Sequence, residues 1–96
     1  MLFQVEMRVR LPAHLDRAAF EQLRESEKAI AHELQQQGKW RHLWRVVGQY
    51  QNTSIFDVVD NEELHTILTS LPLYPYMRIK VIPLCRHPSS IHADDR

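Results

Sequence analysis

The chain has 96 residues, 44% of them hydrophobic and 25% charged, and its 12 Lys and Arg balance its 12 Asp and Glu. This length and composition predict one globular domain over residues 1–96 with a modest core. Zero net charge argues against a protein held on nucleic acid or on an anionic membrane. The single cysteine, Cys85, excludes an internal disulfide and fits a reducing compartment. The alternating, charged N-terminus is unlike a signal peptide or a membrane span, so we expect a cytoplasmic protein.

The N-terminal part of the chain predicts a strand followed by a long helix. Residues 2–10 alternate apolar and polar side chains, which is the period of a half-buried strand. Pro12 breaks this pattern, and Asp16 has the type of side chain that caps a helix N-terminus. The stretch from Asp16 to about Gln37 contains neither Gly nor Pro, and Gly38 supplies a stop. We therefore expect a helix of about six turns, at roughly 3.6 residues per turn.

A hairpin and a second helix are predicted next. Residues 39–48 and 50–59 are rich in β-branched and aromatic side chains and are separated by a short break, which favours two paired strands. Asp60 and Glu63 have the spacing of a capping box, so we expect a helix to begin there. Pro72 ends this helix.

The last predicted element is a strand from Tyr74 or Tyr76 to about Leu84, where apolar and basic residues alternate. The resulting order is that of an α+β, ferredoxin-like βαββαβ fold, with a four-stranded antiparallel sheet and both helices on one face. The C-terminal tail, about residues 85–96, has no period and little apolar content. It is predicted to be extended, either disordered or ordered against another surface.

One carboxylate occupies the apolar stripe of the first predicted helix. Apolar residues from Phe20 to Leu34 follow the spacing of a buried helical face, and Glu27 fills a gap in that stripe. Loss of water disfavours the charged form and raises a carboxyl pKa, which suits a general base. A structural ion pair, or a helix rotation that brings Glu27 to the rim, would explain the pattern equally well. The basic strand residues available for such a pair are Arg41, Arg45 and Arg78.

Residues 40–45 of the second predicted strand, WRHLWR, carry two Trp, two Arg and one His that could line a pocket. Regular alternation would place on one face Trp40, His42 and Trp44, and on the other Arg41, Leu43 and Arg45. An arginine can hold a substrate carboxylate through two hydrogen bonds, and a histidine can donate to a developing oxyanion. Ordinary packing with ion pairs at the sheet edge is the alternative.

The third predicted strand places Tyr50, Asn52 and Ser54 on one side, as a column of hydroxyl and amide groups. These groups either donate hydrogen bonds in a pocket or form an ordinary polar outer face. The histidines are scattered without the close pairing of a metal site, so we expect no bound metal. Cys85 and His87 stand two residues apart and would suit a nucleophile and base only if they touch.

Uncommon strings occur from end to end of the chain. They are an N-terminal MLF, SEKAIAHEL around Glu27, KWRHLWRVVGQY, SIFDV, LPLYPYM and the terminal CRHPSSIHADDR. The sequence closely resembles the muconolactone delta-isomerase family in these segments, in the order of the segments and in the length of the chain. The resemblance implies a ferredoxin-like protomer in a homodecamer, with active sites between neighbouring subunits. It also implies conversion of muconolactone, a small lactone, to 3-oxoadipate enol-lactone in bacterial catechol breakdown, without any metal or organic cofactor.

The same resemblance implies a role for one residue. It assigns the proton acceptor to the glutamate of the first helix, which matches Glu27 in its SEK context. The resemblance does not name the other site residues; from the chemistry of the substrate we expect a polar wall of Tyr50, Ser54 and His42, and a carboxylate-binding arginine among Arg41, Arg45 and Arg86. The tail, about residues 85–96, would pack on neighbouring subunits and close a site there.

Other functions fit the same fold. A chloromuconolactone dehalogenase or a methylmuconolactone methylisomerase would share the scaffold and the base. A non-catalytic ligand-binding oligomer would have Glu27 in an ion pair. An RNA-recognition module has the same order of elements, but NTSIFDVV lacks the basic residue, glycines and paired aromatics of its RNA-binding strand.

Overall fold

A computed structural model describes residues 1–95 and contains the six predicted elements in the predicted order. They are β1 (Leu2–Val9), α1 (Arg17–Gln36), β2 (Trp40–Arg45), β3 (Gln51–Asp57), α2 (Asn61–Ser70) and β4 (Met77–Leu84). The strands form one antiparallel sheet in the order β2-β3-β1-β4, so the first and third strands occupy its centre. The predicted α+β, βαββαβ fold is confirmed.

The first helix begins and ends where its sequence signals lie. The Asp16 carboxylate accepts a hydrogen bond from the Ala19 backbone N–H at 3.3 Å, which satisfies one of the free donors of the first turn. Gly38 follows the C-cap with φ of 80°, a left-handed conformation that glycine adopts without a steric penalty. The chain then turns directly into β2.

The second helix is capped reciprocally at its N-terminus. The Asp60 carboxylate accepts from the Glu63 backbone N–H at 2.8 Å, and the Glu63 carboxylate accepts from the Val59 backbone N–H at 3.0 Å. The capping box expected from this spacing therefore forms, except that the Glu63 carboxylate binds the N–H of the residue before the N-cap instead of that of the N-cap itself. Ser70 is the last helical residue, two positions before Pro72.

The core lies between one face of the sheet and the two helices. Alternate residues of β1, namely Phe3, Val5 and Met7, are buried together with side chains from both helices. Trp40 and Phe56 pair across β2 and β3, and their rings stack with centroids 4.7 Å apart. Because Ala31 and the apolar stripe of α2 belong to the same cluster, both helices cover the same face of the sheet.

A β-bulge changes the faces of β2. Trp40 pairs with Phe56, but His42 pairs with Ile55, so Arg41 is one extra residue opposite β3. Trp40 therefore lies on the helix side, and the prediction that it shares a face with His42 and Trp44 is wrong. Strict alternation fails at the bulge and resumes after it. Beyond the bulge, the helix side receives Leu43 and Arg45, opposite Ser54 and Asn52.

The fourth strand begins later than its earliest predicted start. Tyr74–Tyr76 forms a short 3-10 turn, in which the Tyr76 N–H donates to the Leu73 carbonyl, and the strand starts at Met77. Pro75 lies inside this turn, where its fixed φ is tolerated. The turn leaves Leu73 buried beside α1, with its backbone N–H free to meet a side chain of that helix.

The tail beyond β4 has neither helix nor strand over residues 85–95. Its end is held to the sheet by Arg41, whose guanidinium lies 3.6 Å from the Asp94 carboxylate and 3.2 Å from that of Asp95. Asp57, 3.9 Å away, also faces Arg41. The bulge that turns Arg41 away from the core therefore provides an anchor for the tail.

Candidate active site

A cleft of about 760 Å³ lies between α1 and the helix side of the sheet. Ala31 is the one buried residue of α1, and the half-buried Phe20 and Glu27 of the same helix border the open space. Residues of α1 form one wall, Met7, Trp40 and Asn52 belong to the sheet wall, and Leu73 lies at one end. A smaller cavity of about 390 Å³ beside Met1 and Glu63 contains none of the predicted site residues.

Glu27 projects into this cleft from the half-buried stripe of α1. Its Oε1 accepts a hydrogen bond from the Leu73 backbone N–H at 3.0 Å. Burial raises the pKa of the Glu27 carboxyl above its ordinary value of 4.5, and the Leu73 hydrogen bond offsets part of this rise by stabilising the charged form. Glu27 is thus a fixed carboxylate with increased proton affinity, as a general base requires.

The ion-pair explanation of Glu27 is not supported. Across residues 1–95, the ion pairs within 4.0 Å involve other carboxylates. Arg41 pairs with acids of β3 and the tail, and Arg45 donates to the Gln49 carbonyl at 3.2 Å. Without a cation to hold it charged, the Glu27 carboxylate keeps its affinity for a proton.

Three of the predicted site residues lie at the cleft with Glu27. Arg45 and Tyr50 line it, Tyr50 being 83% exposed just before β3. Ser54 lies beneath the cleft, 1% exposed, and its hydroxyl donates to the Asn52 side-chain oxygen at 2.8 Å. The alternative interpretation of this column as a polar outer face is wrong for Ser54, because its side of β3 faces the helices.

The other predicted site residues lie away from the cleft within one chain. His42 is on the outer face of the sheet, with its ring 6.3 Å from that of Trp44. Arg41 holds the tail on the same outer side. Arg86 is exposed in the tail and donates to the Ser90 carbonyl at 3.3 Å. A pocket that used these residues would need the tail or outer face of a neighbouring chain.

The proposed Cys85 and His87 pair does not form. Cys85 is exposed, and the His87 Nδ1 accepts instead from the Ser89 backbone N–H at 3.0 Å. Among the described residues, then, Glu27 is the group at a cleft that combines partial burial with a raised pKa.

Comparison with known proteins agrees with this geometry. A family model described as muconolactone delta-isomerase matches residues 1–90. The chain belongs to the muconolactone delta-isomerase family. It is similar to the muconolactone delta-isomerase of Acinetobacter baylyi, at 61% identity over 99% of both chains, and to that of Pseudomonas aeruginosa, at 56% over the full length of both. A crystal structure of muconolactone isomerase superposes with a TM-score of 0.94 at 57% identity, covering 100% of each chain.

This member of the muconolactone delta-isomerase family has further residues at the cleft: Trp40 and Asn52, which the sequence suggested only as members of a strand face, and Lys28 and His32, which it did not suggest. Trp40 lines the cleft, is 2% exposed, and its indole N–H has no acceptor within residues 1–95. Asn52 offers an amide, and Lys28 and His32 bring basic groups from α1. Regular spacing of four from Arg24 to Lys28 and His32 was a sequence signal for one helix face. Nothing in the local pattern placed Trp40 at the cleft, because its face depends on the bulge.

Residues 1–95 contain no group of three or more His, Cys, Asp or Glu side chains arranged to hold a metal ion. None of the helices in this range is long and apolar enough to cross a membrane.

Proposed function

We propose that this isomerase converts muconolactone to 3-oxoadipate enol-lactone, and that Glu27 transfers the proton. The observation that carries the proposal is the Glu27 carboxylate at the cleft, half-buried, held by the Leu73 N–H and without an ion pair in residues 1–95. A carboxylate in this state can accept a proton from carbon and return it, which is the chemistry that moves a double bond. The family's name supplies the substrate.

The reaction needs two proton transfers and no change of oxidation state. Glu27 takes the proton from the ring carbon that bears the acetate arm, and the electron pair of that C–H bond delocalises through the ring to the lactone carbonyl oxygen. Protonated Glu27 then returns a proton to the carbon next to the carbonyl, so the double bond shifts by one position. No metal or organic cofactor enters these steps. One carboxylate on one ring face serves as base and then as acid.

The acetate arm carries a carboxylate, which requires a cation. Of the predicted arginines, Arg45 lines the cleft, and its guanidinium has no carboxylate partner in residues 1–95. Arg45 also lies directly across the strands from Asn52, so a carboxylate held by Arg45 would keep the lactone ring over the sheet wall. Tyr50, at the rim, supplies a phenolic hydroxyl to the same wall.

Proton NMR in deuterated buffer tests the proposed reaction. Purified protein is incubated with muconolactone, and the ring protons report both double-bond migration and exchange at each carbon. We expect migration to the enol-lactone, with deuterium next to the carbonyl to the extent that protonated Glu27 exchanges with solvent before it returns the proton. Folded protein that gives neither migration nor exchange would contradict the proposed substrate. Parallel incubations with chlorinated and methylated muconolactones would then separate the dehalogenase and methylisomerase activities from plain ligand binding.

The pH dependence of turnover follows from the same carboxylate. Burial raises the Glu27 pKa above 4.5, and only the ionised form accepts a proton. We expect kcat/KM to rise about tenfold per pH unit below this pKa and to level off above it. A rate profile from acid to neutral pH, with unfolding followed in parallel, measures the position of the acid limb. A limb at or below pH 4.5 would contradict a role for a partly buried base.

We also propose that the protein works in the cytoplasm as a homo-oligomer, a decamer as the resemblance implies, and that the tail packs on a neighbouring subunit. Large apolar side chains outside the core support assembly, since Trp44 on the outer sheet face is 61% exposed and Ile91 in the tail 88%. The exposed thiol of Cys85 is suited to a reducing compartment. His42, Arg41 and Arg86 would reach a pocket only through such contacts.

Removal of the tail tests this arrangement. A chain ending at Leu84 loses Arg86, Ile91 and the two tail acids that bind Arg41. We expect it to assemble more weakly or to turn over muconolactone more slowly, as measured by sedimentation velocity and by initial rates. Because the tail adds no helix or strand and lies outside the core cluster, the domain itself is expected to fold. An oligomer of unchanged size with full turnover would rule out the proposed role of the tail.

A further inference from the structure

The sheet wall of the cleft contains a polar pair whose members have different surroundings. Ser54 is buried, 1% exposed, whereas Asn52 lines the cleft. The Ser54 hydroxyl donates to the Asn52 Oδ1 at 2.8 Å, along the same face of β3. Ser54 is thus shielded from the ligand space above it and reaches that space only through Asn52.

This hydrogen bond orients the Asn52 amide. With Oδ1 occupied by the Ser54 hydroxyl, the Nδ2 group is the free end of the side chain, and it makes no hydrogen bond with residues 1–95. An amide nitrogen donates and does not accept, so the group left free is a donor. A donor fixed before the reaction is the arrangement that stabilises developing negative charge best, because nothing has to reorganise.

The neighbours of Asn52 fix which part of a substrate it would meet. Arg45 lies opposite it on β2, and Met7 lies opposite it on β1. Directly paired side chains have Cβ atoms about 4.5–5.5 Å apart. A small lactone with its carboxylate on Arg45 therefore has its ring, and the carbonyl at the far side of that ring, within reach of the adjacent amide.

We propose that the Asn52 amide donates a hydrogen bond to the lactone carbonyl oxygen as it becomes negatively charged, and that Ser54 is a positioning residue that holds this amide in its donating orientation. This inference rests on the proposed isomerase function. It changes the role expected for Ser54 from a substrate contact to a group that acts through Asn52. It also supplies the donor that the dienolate requires and that Glu27, as the base, cannot provide.

Substitutions at Asn52 test the donor. Asn52→Ala removes it, and we expect kcat to fall about 10²- to 10³-fold, with KM much less affected, because the hydrogen bond strengthens in the transition state. Asn52→Asp keeps the shape and can still accept from Ser54, but it offers a negative charge in place of the donor. We expect it to be slower than Asn52→Ala. An Asn52→Asp variant that retains wild-type kcat would overturn the proposal, since the amide would then be serving as an acceptor.

A double-mutant cycle tests the positioning role of Ser54. Ser54→Ala alone is expected to lower kcat about tenfold, which is a loss of about 1.4 kcal/mol, because the amide can then rotate. In the Asn52→Ala background the same change is expected to leave kcat unaltered, since there is no amide left to position. Equal losses in both backgrounds would overturn the positioning role. A merely structural role would lower the unfolding temperature without this dependence on Asn52.

Wild-type protein assayed beside the variants distinguishes failure of the role proposed for Asn52 from failure of the proposed isomerase function. Turnover by the wild type with unchanged kcat in Asn52→Ala would overturn this inference and leave the isomerase function standing. Absence of turnover in folded wild-type protein would overturn both. Circular dichroism and thermal unfolding of each variant establish that the compared proteins are folded.

Discussion

Glu27→Gln is expected to abolish nearly all turnover of muconolactone while leaving the protein folded. The glutamine amide cannot take a proton from carbon, and a positioned general base contributes about 10²- to 10⁴-fold to the rate of such reactions. The substitution keeps the length of the side chain, and its carbonyl oxygen can still accept from the Leu73 N–H. Initial rates and the exchange of ring protons with deuterated solvent measure the loss directly.

The stability of Glu27→Gln is expected to change in the opposite direction from its activity. The folded-state pKa of Glu27 is raised by burial, so the folded protein binds this proton more tightly than the unfolded chain does. Any stability linked to this proton is present at low pH and is lost as the pH rises through the raised pKa. Glutamine carries no charge to bury, so at neutral pH the variant should be at least as stable as the wild type, and relatively less so in acid.

Glu33→Gln is the matched control for this substitution. It makes the same chemical change on the same helix, at an exposed residue whose carboxylate accepts from the Gln37 side chain and does not line the cleft. Its turnover should stay close to that of the wild type. Loss of activity in both variants, or in neither, would contradict the assignment of proton transfer to Glu27.

Glu27 was predictable because it violates a local pattern. Helix α1 has an apolar stripe, and a carboxylate within a stripe is visible in the sequence without knowledge of the tertiary structure. The order of elements was predictable for the same reason. Asp16, Gly38 and the Asp60 cap act through neighbours within four residues, so the signals and the structures they produce lie together in the chain.

The sheet wall of the site was less predictable, because it depends on strand pairing. The extra residue at Arg41 leaves no mark in the alternation of WRHLWR, yet it decides that Trp40 and Arg45 share the helix side. Whether the Asn52 and Ser54 side of β3 faced solvent or the helices could not be read from β3 alone. The pairing of Ser54 with Val5 of the buried β1 face settles it.

Arg45→Met is expected to weaken the binding of muconolactone far more than it slows the chemical step. Methionine retains most of the apolar stem of the arginine but removes the charge that would hold the acetate arm. A hydrogen bond to a charged group contributes about 1.5–3 kcal/mol, so kcat/KM should fall roughly 10- to 150-fold, mainly through a higher KM. The loss of folding stability should be small, because Arg45 is exposed and its one side-chain hydrogen bond is to the Gln49 carbonyl.

Substitution of two other cations tests whether the effect on KM is specific to Arg45. Arg17→Met removes a positive charge from the exposed first turn of α1, outside the cleft, and should leave KM near the wild-type value. Lys28→Met removes one positive charge from the opposite wall of the cleft, where Arg24 and His32 also lie. If Lys28→Met raises KM tenfold or more while Arg45→Met does not, the carboxylate lies against α1 and the lactone is oriented the other way round. If only Arg45→Met raises KM, the acetate arm lies over β2 and the carbonyl beside Asn52, since Arg45 and Asn52 are paired across the strands.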